Sequence, residues 1–152
     1  MTLNLTALFL TILVSVSSCT DNQPQELAGN KASTKNNVLN CYRYTHNNDT
    51  VTLKTVLANS VVTGTLIYDF FQKDKSWGTI QGQMKDRLLI ADYTFMSEGI
   101  QSVRQIVFKL DGNTFIEGYG ETENTDQKTT FKNIDSLDFN HSIVLSKIAC
   151  EE

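Results

Sequence analysis

The stretch RLLIADYTFMSEGIQSVRQIVFKLDGNTFIEGYG, Arg87–Gly120, decides the fold. In its first third, Leu89, Ala91, Tyr93 and Phe95 share one parity and Leu88, Ile90, Asp92 and Thr94 the other. That is the period of two of a β-strand. Apolar residues on both parities near its start mark Arg87–Met96 as a central strand. Ser97-Glu98-Gly99 turns the chain, and Ile100–Leu110 alternates again. Asp111-Gly112 is a hairpin signal between apolar runs, after which Asn113–Gly120 returns.

Reading outward from this core gives more of the same. On the N-terminal side, Asp49–Leu57 alternates, and Val61–Phe71 puts Val62, Gly64, Leu66, Tyr68 and Phe70 on one face. Lys73-Asp74-Lys75-Ser76 is a polar turn, Trp77–Met84 a partner strand and Lys85-Asp86 a tight turn. On the C-terminal side a polar loop, Glu121–Lys128, precedes Thr129–Lys132. Ser142–Cys150 reads either as a strand or as a short helix followed by a strand. Gly64-Thr65-Leu66 and Gly78-Thr79-Ile80 echo each other across one hairpin. Glycines inside the strand patterns, at 64, 78, 82, 118 and 120, allow the bends that curl a meander. The predicted architecture is all-β: a single antiparallel meander closing, or partly closing, into an up-and-down barrel of about eight strands over residues 38–152.

The N-terminus reads differently. Leu3–Val16 is a continuous apolar run of signal-peptide length, short for a membrane span. It ends in Val16-Ser17-Ser18-Cys19, which resembles a bacterial lipobox: apolar at −3, small at −2 and −1, cysteine at +1. Residues 1–18 are therefore expected to be a lipoprotein signal peptide. The Cys19 thiol would carry diacylglycerol and its freed amine a further acyl chain such as palmitate, since stable anchoring needs more than one chain. The n-region Met1–Asn4 departs from the pattern in having no Lys or Arg. An ordinary secretory signal cut near Cys19 is the blander alternative. Residues 19–37 are polar and aperiodic, as a flexible tether would be. The expected location is the cell envelope, anchored by lipid and on the outer membrane.

Composition excludes some classes. A net charge of −4 over 152 residues carries no basic field for nucleic acid. With Cys19 lipidated, Cys41 and Cys150 remain, an even pair for an oxidising compartment. They are expected to form a disulfide joining the first strand to the last; two buried free thiols are the alternative. Without a local histidine they lack metal-ligand spacing, and no metal or cofactor is expected.

The stretches VTGTLIYDFFQKDKSWGTIQG from Val62, LLIADYTFMSEG from Leu88 and SVRQIVFK from Ser102 resemble a family of small lipoproteins from Bacteroidota. Cys41-Tyr42, the EGYGE of Glu117–Glu121 and the closing KIAC fit as well. The resemblance implies a lipid-anchored, calycin- or lipocalin-like β-domain and supplies no catalytic residues. A weaker similarity is to lipoprotein inhibitors of lysozyme, whose inhibitory Ser-Gly loop has no recognisable copy here.

Catalytic patterns are sparse. His46 and His141 lie in polar stretches and read as exposed loop histidines. No G-x-S-x-G, H-E-x-x-H or phosphate-binding loop is present. The chain is read as non-enzymatic, with a small apolar ligand or an envelope component as the expected partner. Tyr68, Phe70, Phe71, Trp77, Tyr93, Phe95 and Tyr119 are an aromatic supply for one end of a barrel, a ligand mouth or a partner surface, and Tyr68, Phe70, Trp77, Tyr93 and Phe95 are the candidate ligand-binding residues among them. Asp92 and Arg104 join them as polar handles, with Glu98 and Arg104 placed to pair with each other or with Asp92. The blander reading puts the aromatics in the core and Asp92 in an outward ion pair. The alternative function is a protein-interaction module, such as an inhibitor of an envelope hydrolase, acting through a protruding loop at Gln72–Ser76 or Glu121–Lys128. The lipobox reading predicts that Cys19→Ala abolishes acyl labelling and membrane association while the domain still melts at the wild-type temperature. Equal labelling and membrane association in both forms would reject it.

Overall fold

The computed structural model describes residues 38–140 and 143–151. The segments read above as signal peptide and tether, with Cys19, and His141 lie outside the described residues. The strands are β1 (Val38–His46), β2 (Asp49–Ala58), β3 (Val61–Asp69), β4 (Ser76–Lys85) and β5 (Leu88–Ser97), followed by β6 (Ile100–Asp111), β7 (Thr114–Glu117), β8 (Thr122–Thr125), β9 (Lys128–Phe131) and β10 (Val144–Ile148). Eight of them close a ring in the order β1-β2-β3-β4-β5-β6-β7-β10 and back to β1, with every neighbour antiparallel. This is the predicted barrel.

The alternation seen in the sequence sets which side chains enter the ring. Leu53 on β2, Leu66 on β3, Leu89 on β5, Phe108 on β6 and Leu145 on β10 are each fully buried, at 0% exposure. Ile80 from β4 and Tyr42 from β1 complete the filling. The echoed triplets meet directly: Thr65 pairs with Thr79, Gly64 with Ile80 and Leu66 with Gly78. A Cβ on Gly64 would collide with the Lys54 carbonyl, and one on Gly78 with that of Thr94. These close backbone approaches are what tight coiling of β2–β5 requires. The β5–β6 turn has Glu98 at φ 51° and Gly99 at φ 78°. Two successive positive φ values match the twist of a two-residue hairpin.

Two expectations are corrected, and one open alternative is decided in favour of the strand. The polar loop read at Glu121–Lys128 contains β8 and the turn of a hairpin; its return strand β9 runs parallel to β6, with Val103 opposite Lys128 and Arg104 opposite Thr129. The third strand of the opening stretch ends at Glu117, three residues early: Gly118 still bonds the Val107 carbonyl in register, and Tyr119 then pairs with Asp138 instead of β6. The last segment is a strand without a preceding helix in the described residues; the one helical turn there is 3-10, Ile134–Ser136, capped by the Asn133 side chain on the Asp135 amide.

The expected disulfide is present. Cys41 on β1 lies opposite Ile148 of β10, and its Cα is 5.3 Å from that of Cys150. Cys41 itself is 1% exposed, on the outer parity of β1, covered at the seam. A bridge across 109 residues removes loop entropy worth roughly 4–5 kcal/mol from the unfolded chain in the entropic account. The Cys41→Ser/Cys150→Ser double variant is expected to melt lower by roughly 10 °C or more, by circular dichroism. An unchanged melting temperature would mean the seam holds without it.

Candidate functional site

One end of the barrel carries the tight turns Asn59-Ser60, Asp86-Arg87 and Gly112-Asn113 and the chain entry at Val38. The other end carries the β3–β4 loop, the β5–β6 turn and the exit of β7. At this second end the filled core gives way to polar groups. Alternation brings Tyr68 from the end of β3, Tyr93 and Phe95 from β5, Arg104 from β6 and Glu117 from the last position of β7 to the inner face.

Glu117 is the central feature. It is a carboxylate 4% exposed, and burying one unpartnered is costly. Both its oxygens are occupied: Oε1 accepts from the Tyr68 hydroxyl at 2.6 Å and Oε2 from the Tyr119 hydroxyl at 2.9 Å. Burial raises its pKa; the Tyr68 hydrogen bond, the Arg104 charge and the Tyr119 hydrogen bond each act in the opposite direction, and burial wins. The tyrosines respond in turn. Burial, and then the Glu117 charge, hold Tyr68 and Tyr119 as neutral phenols far above neutral pH. Tyr93 is raised as well, chiefly by burial, and shares a 3.0 Å hydrogen bond with the Ser76 hydroxyl.

Arg104 is held by rings. Its Cζ lies 5.0 Å from the Tyr68 ring centroid, 5.5 Å from Tyr93 and 5.6 Å from Phe95. Phe95 stacks on Tyr93 at 4.7 Å, which fixes that wall of the cage. Among the described residues Arg104 has no hydrogen bond and no ion pair, and its Nε is buried without a partner.

Two cavities meet at these residues. The mouth cavity, about 300 Å³, is lined by Phe70, Ser76, Phe95 and Ile143 together with Arg104 and Glu117. The second, about 260 Å³, lies where β7 leaves β6 and the β8–β9 hairpin takes over the wall; Phe131 and Thr129 line it from the hairpin side. Arg104, Glu117 and Tyr119 border both.

Of the sequence candidates, Tyr68, Phe70, Tyr93, Phe95 and Arg104 therefore converge. Trp77 and Asp92 do not. Trp77 is opposite in parity to Ser76 and 57% exposed on the outer wall. Asp92 faces outward and pairs with Lys128 at 2.6 Å, tying the hairpin to β5. It pairs with neither Arg104 nor Glu98, since Arg104 is on the inner face of the neighbouring strand. His46 ends β1 exposed and away from any nucleophile-like pairing among the described residues. Glu117 was missed as a site residue, and Tyr119, counted in the aromatic supply, was not singled out from it. The signal was present: a carboxylate at an inward parity, on the face of Phe115, at the end of an apolar strand.

Comparison with family models, with curated proteins and with solved structures finds no match for this chain. The site is thus read from its own geometry.

A carboxyl with a raised folded pKa binds its proton more tightly in the folded than in the unfolded state. Its contribution to stability is therefore fullest below the unfolded pKa and falls as pH rises through the folded one. Glu117→Gln cannot titrate. The stability of wild type relative to Glu117→Gln is expected to fall between about pH 4.5 and the folded pKa of Glu117, by about 1.4 kcal/mol for each unit of elevation. Urea titrations of both proteins at several pH values check this; a pH-independent difference would reject a raised Glu117.

Proposed function

We propose that this chain is a lipid-anchored lipoprotein of the bacterial envelope, related to the small Bacteroidota lipoproteins it resembles, whose barrel is a non-enzymatic binding module for a small amphiphilic ligand at its mouth. The observation that carries the reading is an open cavity of about 300 Å³ at one end of a ring whose centre is filled. Leu53, Leu66, Leu89 and Phe108 occupy the space an interior cargo would need. A ligand then sits across the mouth, its apolar part on Phe70, Phe95 and Ile143 and its polar part toward Arg104 and Glu117. Convergent polar groups in an apolar-walled cleft are the usual form of a small-molecule site. The lipobox-like Val16–Cys19, and a disulfide suited to an oxidising compartment, support the envelope location.

A second reading, a protein-interaction module, is favoured by a separate observation. Phe71, Trp77 and Ile100 are 58%, 57% and 66% exposed, all near the same end of the barrel. Exposed aromatics at one end are what a partner surface uses.

Native mass spectrometry of the full-length protein, extracted from its own membrane in mild detergent, separates the two. The ligand reading predicts a small-molecule adduct on wild type that disappears from Ser76→Phe, which fills the mouth, with the melting temperature within a few degrees of wild type. A bare wild-type chain that co-purifies with an envelope protein would favour the second reading instead.

A further inference from the structure

We propose that the mouth recognises a monoanionic organic acid, a carboxylate on an apolar body, with Arg104 as the anchoring residue. This rests on the reading of the mouth as a ligand site and adds the chemistry of the ligand's head.

The first ground is the unused capacity of Arg104. A guanidinium has five donors in a planar fork. Its Cζ lies over the rings of Tyr68, Tyr93 and Phe95, contacts that supply no hydrogen-bond acceptor to those donors. Among the described residues none of them has an acceptor, and Nε is buried in that condition. The nearest carboxylate does not supply one. Glu117 is close enough to feel the Arg104 charge, yet its two oxygens are committed to Tyr68 and Tyr119. A buried donor left without a partner is rare enough to call for a reason. A fork that borders a cavity and lacks an acceptor is complementary to a planar, bidentate one.

The second ground is charge. The formal charges around the mouth are Arg104 and Lys73 on one side and Glu117 and Asp74 on the other, and they cancel. A dianionic phosphate would enter a site without net positive field and with a buried carboxylate beside it. A single negative charge placed on Arg104 meets far less opposition. A cationic head fares worst, because the aromatic cage that would receive it already holds Arg104.

The third ground is the wall. Phe70, Phe95 and Ile143 line the cavity next to Arg104, which gives the acid an apolar body to bury. The cavity has room for a ring or a short chain, since a water takes about 30 Å³ of liquid.

The test is calorimetric titration of the full-length protein in detergent with three probes that differ only in head group: 4-phenylbutyrate, 4-phenylbutanol and 4-phenylbutylamine. The acid is expected to bind at least tenfold more tightly than the alcohol, and the amine not measurably. Arg104→Met is expected to lower acid affinity at least tenfold and leave the alcohol within threefold. It should also melt at or above the wild-type temperature, because it removes the unpartnered donor and keeps the bulk within the cage. Arg104→Lys, which keeps the charge and loses the fork, should recover only part of the affinity. Equal binding of acid and alcohol, or an acid affinity unchanged in Arg104→Met, would overturn the acid-head proposal and leave the ligand site standing. Absence of binding by all three probes at millimolar concentration would overturn both. An Arg104→Met protein that unfolds would assign Arg104 to structure, and the head-group ranking on wild type alone then decides the ligand chemistry.

Discussion

The rest of the molecule depends on the closure of the ring through β10. This strand has five residues, and it must satisfy β1 on one edge and β7 on the other. Three residue pairs hold it to each neighbour: Cys41, Tyr42 and Arg43 on β1, and Thr114, Phe115 and Ile116 on β7. Every other junction in the meander between β1 and β6 runs over eight pairs or more, as at β3–β4 and β5–β6. Sequential hairpins form from local contacts; this seam joins chain segments about a hundred residues apart, and such closure carries the largest loop entropy. The disulfide sits at that junction, and Leu145, fully buried against the Tyr42–Phe115 edge-to-face pair, supplies the apolar part of the seam.

The brevity of β7 is the other half of the same constraint. Only four residues of β7 pair with β6 before the chain leaves at Tyr119 to pair with Asp138, while β6 continues for eight residues on its mouth side. That length of β6 edge would expose a row of unpaired backbone groups, a known liability. The chain covers part of it with β9, laid parallel at Val103 and Arg104. Gln105 bonds the Phe131 amide, and Lys128 reaches across to Asp92. That ion pair is half exposed, so its worth is small; its value is in fixing where the hairpin lies. The gap between the departing β7 and the substituted β9 is the second cavity, and Arg104 and Glu117 stand on its two banks. The site is therefore a consequence of how the wall is closed.

The fold was legible because the strands are long and strictly alternating. Leu89, Ala91, Tyr93 and Phe95 needed no context to be placed on one face, and all of them turn inward. The Cys41–Cys150 pairing followed from the same rule, since a closed meander makes first and last strands neighbours. The β8–β9 hairpin was not legible in the same way. Its strands have four residues each, its pattern TENT is exposed throughout, and its turn has no glycine. Asp126 adopts φ 53° there, a conformation aspartate tolerates and that a search for Asp-Gly overlooks. The threonines at 122, 125, 129 and 130, on either side of Asp126-Gln127, were the available clue. For the site, periodicity could say that Arg104 and Tyr93 share a face but not that Asp92 would find Lys128. That pairing is set by a parallel contact across a loop, and no sequence spacing encodes it.

The electrostatics of the mouth show which interaction prevails. Arg104 and Glu117 are opposite charges on neighbouring strands, and a direct ion pair is the arrangement that simple charge counting expects. A buried pair of that kind must recover a large desolvation penalty from its own geometry. Here the two groups are solvated separately. Two phenols donate to the carboxylate at 2.6 and 2.9 Å, and three ring faces hold the guanidinium within 5.6 Å. Tyr68 serves both, donating its hydroxyl to Glu117 while offering its face to Arg104, so neither charge can relocate without disturbing the other. That shared residue keeps the acid and the base apart at short range. It is the reason a cation with open donor edges persists at the top of an otherwise filled apolar core.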